Sequence, residues 1–160
     1  MVERMPEEHG VASPILASGT RNKIKELNCF LKIKLVGDKM PNQLVLIIED
    51  SKTVALLQKE CLENEGIKVL VVETIEQAKN ILKERAKEIS LIILDACLNS
   101  SKPNSMILIQ EARNNGFKGL IIASSGNDDY GQILLRAGAN YKSDKADGPK
   151  MALFLLKNIK

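Results

Sequence analysis

The chain has few of the residues on which most enzyme chemistry and nucleic-acid binding depend. Its 160 residues include one histidine, His9, no tryptophan, and only 3% aromatic residues. The single histidine argues against a Ser-His-Asp triad, and the shortage of aromatic rings argues against base stacking on nucleic acid. The net charge of +3 is too small to indicate DNA binding. Any chemistry must therefore use carboxylates, hydroxyls and lysines.

Cysteine and long apolar runs are also scarce. The three cysteines, Cys29, Cys61 and Cys97, form no CxxC pair, which argues against a disulfide framework and against a zinc site. Reduced thiols of this kind fit a cytoplasmic protein best. No uncharged apolar run approaches the roughly 18 residues of a membrane span. The charged start, MVERMPEEHG, does not resemble a secretory signal.

The composition divides the chain into an N-terminal extension, residues 1–42, and a main domain, residues 43–160. Residues 1–19 show little periodicity and are interpreted as a flexible tail. Residues 20–35 place four apolar side chains on one helical face: Ile24, Leu27, Phe30 and Leu31. We expect this basic amphipathic helix to dock on the main domain or to form a homodimer with a second copy. Binding to a membrane surface or an acidic partner is the other interpretation.

Four short apolar runs mark the main domain: LVLIIE (44–49), IKVLVV (67–72), LIILDA (91–96) and GLIIAS (119–124). They begin 23, 24 and 28 residues apart, which is the length of a strand-plus-helix unit. Continuous apolar runs are typical of strands that are buried on both faces. The pattern predicts an α/β fold with a doubly wound parallel sheet. Residues 139–145, ANYKSDK, make a poor fifth strand by composition.

Amphipathic patterns between the runs predict helices. One helical face carries Val54, Leu57, Cys61 and Leu62. Thr74 and Gln77 have the spacing of a capping box. Glycines follow three of the helical patterns, where left-handed C-caps are expected: Gly66, Gly116 and Gly138.

Polar residues interrupt the apolar runs where the strands end, which is where such sheets bind ligands. The first run ends in Glu49 and Asp50, the third reaches Asp95, and Ser125 follows the fourth. Carboxylates that converge at one edge repel each other, and Mg²⁺ with oxygen ligands relieves that repulsion. A serine hydroxyl and Lys145 could hold the oxygens of a phosphoryl group. The residues therefore indicate Mg²⁺-assisted phosphoryl transfer to an aspartate.

The ordered set resembles a response-regulator receiver domain of the chemotaxis-response-regulator type, over about residues 43–160. The spacing carries the resemblance: 45 residues from Asp50 to Asp95, 30 to Ser125, and 20 to Lys145. The resemblance implies a flavodoxin-like sheet of five parallel strands in the order 2-1-3-4-5. It also implies a two-component or phosphorelay switch that catalyses its own phosphorylation and dephosphorylation but makes no metabolite.

The resemblance assigns roles to particular positions. Asp95 resembles the phosphoacceptor, and Ser125 and Lys145 resemble the residues that bind the phosphoryl group. The implied Mg²⁺ ligands are Glu49, Asp50, Asp95 and the main-chain carbonyl of Cys97. The implied partners are a histidine kinase or histidine phosphotransfer protein and a downstream protein target. No direct DNA binding is expected.

Three positions depart from the family pattern. Ala146 replaces the proline that often follows the lysine, and Asn99 replaces a proline after the phosphoacceptor. Lys142 stands where the family has a switch aromatic, and Tyr141 lies one residue too early, on the opposite face of a strand. These departures leave open a degenerate receiver-like binding module whose output does not depend on phosphorylation. A flavodoxin-like or haloacid-dehalogenase-like enzyme is a third hypothesis. The sequence has no Gly-rich P-loop to support it, and Cys97 occupies the position two residues after Asp95 where a second aspartate would be needed.

Overall fold

The computed structural model describes residues 42–158, in which five strands alternate with five helices. The strands are β1 (Leu44–Ile48), β2 (Lys68–Val72), β3 (Leu91–Asp95), β4 (Leu120–Ser124) and β5 (Tyr141–Ser143). The helices are α1 (Lys52–Glu63), α2 (Ile75–Arg85), α3 (Met106–Asn114), α4 (Asp128–Arg136) and α5 (Gly148–Asn158). The four apolar runs therefore form strands as predicted. The weak fifth run also forms a strand, but one of only three residues.

The five strands form one parallel sheet in the order β2-β1-β3-β4-β5. The predicted fold class and strand order are thus confirmed. The chain steps from β1 outward to β2 and then returns to β3 on the other side of β1. The carboxyl ends of β1 and β3 consequently lie side by side, with Ile48 opposite Leu94, at the point where strand order reverses.

Both faces of the sheet are covered by helices, so successive residues of a strand enter two separate cores. Leu46 and Ile48 pack on one face with residues from α2, α3 and α4. Val45 and Ile47 pack on the other face with residues from α1 and α5. This two-sided burial explains why β1 and most of β3 and β4 consist of uninterrupted Val, Ile and Leu.

Local signals in the sequence mark the ends of several helices. The Thr74 hydroxyl accepts the N–H of Gln77 at 3.2 Å, so the predicted N-cap of α2 is confirmed. The Gln77 side chain accepts the N–H of Glu73, at 2.9 Å, instead of closing back on Thr74. The three predicted C-cap glycines all have positive φ: Gly66, Gly116 and Gly138.

The predicted apolar face of α1 is wrong in one position. Leu57 is 62% exposed, whereas Gln58 beside it is buried together with Ala55 and Leu62. The buried face is therefore rotated towards Gln58, because the side-chain amide of Gln58 donates to the main-chain carbonyl of Lys145 at 2.9 Å. Helical periodicity alone cannot anticipate such a bond, since it joins residues 87 positions apart.

The N-terminal extension lies outside the described residues, apart from its last residue. The expected tail over 1–19 and the expected helix over 20–35 both fall there, and they stay predictions. No helix within residues 42–158 combines the length and apolar character needed to cross a membrane.

Replacing Gly66 with alanine should lower the free energy of unfolding by about 1 kcal/mol. Gly66 has φ +83°, and no heavy atom lies within 4 Å of the position that a Cβ would take. The expected loss is therefore backbone strain alone, and urea unfolding measures it. Gly126→Ala is the matched control, because that site is equally open but has no positive φ. An equal loss in the control would contradict this explanation.

Candidate functional site

Three carboxylates meet at the carboxyl edge of the sheet. Glu49 and Asp50 directly follow β1, and Asp95 is the last residue of β3. One carboxylate oxygen from each lies within 4.8 Å of the others, so the three form an acidic cluster. Glu49 is 1% exposed and Asp95 is 4% exposed, whereas Asp50 is partly exposed. The neighbouring carboxyl ends of β1 and β3 bring the side chains together, as expected.

Lys145 reaches this acidic cluster from the β5–α5 connection. Its Nζ donates to Oε1 of Glu49 at 2.8 Å and to Oδ2 of Asp95 at 2.9 Å. The lysine side chain stays 31% exposed, so the ammonium lies between the buried carboxylates and solvent. Glu49 Oε1 also accepts the N–H of Ser51, at 3.2 Å, but its Oε2 is buried and has no partner among the described residues.

Burial and proximity shift the pKa values of the groups in this cluster. Burial raises the pKa of Glu49 and of Asp95, although the hydrogen bonds from Lys145 act to lower both. Burial acts to lower the pKa of Lys145, but its two carboxylate partners outweigh that effect and the pKa is raised. The lysine is therefore held as an ammonium, while the two buried carboxylates bind protons more readily than exposed ones.

Asp50 is oriented by the connection that follows β3. The main-chain N–H of Asn99 donates to Oδ2 of Asp50 at 2.7 Å. Asn99 has φ +52°, a left-handed conformation that asparagine tolerates better than most residues. The receiver domains that the sequence resembles usually have proline at this position, and proline has no N–H to donate. The departure at Asn99 therefore supplies a hydrogen bond that the usual residue could not make.

The connection that carries Asn99 runs from residue 96 to residue 105, ten residues, whereas the β1–α1 and β4–α4 connections have three each. Asn104 closes it through two bonds with Leu98, since its Oδ1 accepts the Leu98 N–H and its Nδ2 donates to the Leu98 carbonyl, both at 2.8 Å. The connection is thus long but internally braced.

Ser125 lies in the β4–α4 connection and is half-buried. Its N–H donates to the Ser143 carbonyl at 3.0 Å, and its hydroxyl accepts the N–H of Asn127 at 3.1 Å. Asn127 in turn caps α4, because its side chain accepts the N–H of Asp129 at 2.9 Å. None of the hydrogen bonds that Ser125 makes within residues 42–158 reaches the acidic cluster.

Cys97 lies two residues after Asp95 and is half-buried. Burial and the nearby Asp95 carboxylate raise the pKa of its thiol, so the thiol is not activated. Its main-chain carbonyl accepts no hydrogen bond from the residues that the structure describes. Of the six candidate site residues, the structure thus groups Glu49, Asp50, Asp95 and Lys145, and places Ser125 and Cys97 on flanking connections.

Gln58 is a residue of the site that the sequence pattern did not reveal. Through its bond to the Lys145 carbonyl it ties α1 to the segment that carries the ammonium. The available signal was a glutamine four residues after Val54 and four before Leu62, inside an otherwise apolar stripe.

The comparisons with known proteins agree with this arrangement. The family model described as "Response regulator receiver domain" matches residues 45–149. The chain belongs to this family. The sequence-based resemblance to receiver domains is therefore confirmed. No curated protein matches the chain.

Solved receiver domains have the same fold. The signal receiver domain of a protein named as a Luxo repressor, from Vibrio parahaemolyticus, is 30% identical, with a TM-score of 0.58, covering 72% of this chain and 91% of that one. A second match is the receiver domain of a sensor histidine kinase from Pseudomonas aeruginosa, which has a magnesium ion in its active site cleft. It is 23% identical, with a TM-score of 0.61, and the match covers 72% of this chain and 95% of that one. The BeF3-activated receiver domain of RstA from Klebsiella pneumoniae is 22% identical, with a TM-score of 0.58, covering 72% and 96%.

Asp95→Asn should raise the free energy of unfolding at pH 7 by about 1 kcal/mol, measured in EDTA. A carboxyl group whose pKa is raised on folding binds more protons in the folded state, so stability falls as pH rises from the ordinary carboxyl pKa through the raised one. Removing that carboxylate removes the loss, and the gain should vanish near pH 3, below both values.

Glu60→Gln is the control for this comparison, because Glu60 is an exposed carboxylate on α1. It should change stability by less than about 0.5 kcal/mol at either pH. An Asp95→Asn protein that is no more stable than the parent at pH 7 would contradict the raised pKa.

Proposed function

We propose that this receiver domain accepts a phosphoryl group on Asp95 in a Mg²⁺-dependent reaction, and that the modification switches its protein contacts. The observation that carries the proposal is the acidic cluster with Lys145 hydrogen-bonded to both Glu49 and Asp95. It combines an acceptor carboxylate, oxygen ligands for a cation and a fixed ammonium at one edge of the sheet.

The residues of the cluster fit a magnesium ion. Glu49, Asp50 and Asp95 offer oxygen donors within 4.8 Å of one another, and hard oxygen ligands are those that Mg²⁺ prefers. The unpartnered Oε2 of Glu49 is a buried acceptor that a bound cation, or water on that cation, would satisfy. The Cys97 carbonyl is the fourth proposed ligand. Bound Mg²⁺ would neutralise charge on the phosphoryl oxygens.

The remaining groups have distinct roles in the proposed transfer. An oxygen of Asp95 attacks phosphorus, forming an acyl phosphate as the bond from phosphorus to the donor imidazole nitrogen breaks. Lys145 then pairs with a phosphoryl oxygen in place of the ionised Asp95 oxygen. The Ser125 hydroxyl leaves the N–H of Asn127 and donates to a second phosphoryl oxygen. Attack of water on phosphorus later breaks its bond to the Asp95 oxygen, which releases inorganic phosphate and restores the carboxylate, so the domain also catalyses its own dephosphorylation.

The phosphoryl donor in this proposal is a histidine kinase or a histidine phosphotransfer protein, and the output is contact with a downstream protein. Two solved relatives support the chemistry through their descriptions, one with magnesium in its active site cleft and one activated by BeF3. Membership of the receiver family supports the class of donor.

Incubation with acetyl phosphate or phosphoramidate and Mg²⁺ should add one phosphoryl group, detected by intact mass. Asp95→Asn should abolish the gain because it removes the attacking carboxylate, whereas Glu60→Gln should keep it. EDTA should prevent the gain in the parent protein. Incorporation that survives in Asp95→Asn would place the acceptor elsewhere, and no incorporation in the parent protein would oppose the proposal.

Mg²⁺ should also stabilise the fold without any phosphoryl donor. At a concentration about 100 times its dissociation constant, it should raise the free energy of unfolding by about 2.7 kcal/mol. Asp50→Asn should lose most of this gain, because it removes a charged ligand while keeping an acceptor for the Asn99 N–H. Urea unfolding with and without MgCl₂ measures the effect. An equal gain in Asp50→Asn would show that the cation binds at another place.

A receiver-like binding module whose output is independent of phosphorylation is the second candidate function. Lys142 favours it, because a charged side chain occupies the position of the family's switch aromatic. This alternative expects the phosphoryl mimic beryllofluoride to leave the amide spectra of residues 127–150 unchanged.

A further inference from the structure

The first turn of α4 is held from two sides. On one side, the Asp128 carboxylate forms an ion pair with the ammonium of Lys142 on β5. On the other side, the Tyr130 hydroxyl donates to the main-chain carbonyl of Ser101 at 3.3 Å. The two α4 residues in these contacts, Asp128 and Tyr130, lie within five residues of Ser125, which begins the connection leading into this helix.

Lys142 contacts α4 through its aliphatic stem as well as through its charge. The stem of Lys142 lies over Gly131, because a Cβ at position 131 would be 3.4 Å from Cβ and Cδ of the lysine. Asp128 and Gly131 are three residues apart and so share one face of the helix. Gly131 is itself buried, so the stem of Lys142 packs closely against the helix at this point.

The Tyr130 contact connects α4 to the long connection after β3. Its ring packs against the core that includes residues from α2, α3 and α4. Its acceptor, Ser101, belongs to the same ten-residue connection in which Asn99 bonds Asp50. Ser101 lies between Leu98 and Asn104, the two residues whose mutual hydrogen bonds close that connection.

We propose that Lys142 and Tyr130 are positioning residues that together hold α4 in its resting place. The inference rests on the proposed function, in which Ser125 must move to bind a phosphoryl group. A movement of the β4–α4 connection shifts the first turn of α4, and that turn carries both Asp128 and Tyr130. Capture of the phosphoryl group therefore works against both contacts.

The expected effect follows from the strength of such contacts. An exposed ion pair or a single hydrogen bond contributes little, which corresponds to about a two- to fivefold change in an equilibrium constant. Lys142 is 31% exposed and Asp128 is 78% exposed, so salt should weaken their contact. The hydrogen bond of Tyr130 joins two uncharged groups, and its contribution should be nearly independent of salt.

Titration of the full chain with beryllofluoride in excess Mg²⁺, followed through the amide signals of residues 125–131, tests the inference. Lys142→Met and Tyr130→Phe should each bind the mimic about two- to fivefold more tightly than the parent protein. In 1 M NaCl the advantage of Lys142→Met should shrink, whereas that of Tyr130→Phe should persist. Lys142→Arg, which keeps the charge, should bind as the parent does.

Two matched variants control for general effects of charge and of hydroxyl removal. Lys150→Met breaks an exposed pair between Lys150 on α5 and Asp147 just before that helix. Tyr141→Phe removes a hydroxyl from an exposed tyrosine on β5. Neither should change the affinity for the mimic. Circular dichroism and urea unfolding confirm that each variant is folded. The salt dependence of the parent protein's affinity for the mimic is a further measurement, and it needs no variant.

The outcomes separate this inference from the proposed function. If the parent protein binds the mimic but both variants bind it equally or more weakly, the inference is wrong and the proposed function stands. If only one variant binds more tightly, the other residue has no such role. If the parent protein does not bind the mimic, both the proposed function and the inference are overturned.

Discussion

The arrangement of this domain depends on one ammonium that two buried carboxylates share. Glu49 and Asp95 end neighbouring strands, and each is almost inaccessible to solvent. Two such charges would repel strongly at low dielectric, and an uncompensated buried carboxylate is costly. Lys145 supplies the compensation from the connection that follows β5, a strand that pairs with neither β1 nor β3. The short β5 and the hydrogen bond from Gln58 to the Lys145 carbonyl matter because they bring that ammonium within reach.

Lys145 does not neutralise the whole negative charge of the acidic cluster. With the three carboxylates of the acidic cluster ionised and Lys145 protonated, three negative charges face one positive charge, which leaves two negative charges. A divalent cation matches that remainder, whereas a second lysine would neutralise only half of it. In the proposed transfer, the same lysine also releases one carboxylate oxygen when a phosphoryl group arrives. Lys145 can pair with Asp95 before the transfer and with a phosphoryl oxygen after it, because its long side chain stays partly exposed and can move.

Much of this molecule follows from local patterns in the sequence. Runs such as Leu44–Ile48 are typical of strands buried on both faces, and the acidic residues that end β1 and β3 meet at one edge because parallel strands share their carboxyl edge. The contacts that the sequence did not predict are long-range ones. Periodicity placed Leu57 inside and could not foresee Gln58, and it had no means of pairing Tyr130 with Ser101 or Lys142 with Asp128. Each of these contacts joins residues from separate elements, so only the assembled sheet brings them together.

The distance along the chain between the carboxylates and their ammonium also sets an order of assembly. Lys145 follows Asp95 by 50 residues and Glu49 by 96 residues. At about 5–20 residues per second of synthesis, the ribosome adds Lys145 roughly 2.5–10 s after Asp95. Until then, a sheet of β1, β2 and β3 would have to bury two carboxylates without a counter-charge. The acidic edge of the sheet therefore gains its counter-charge only after the β5–α5 connection has been made, close to the end of the domain.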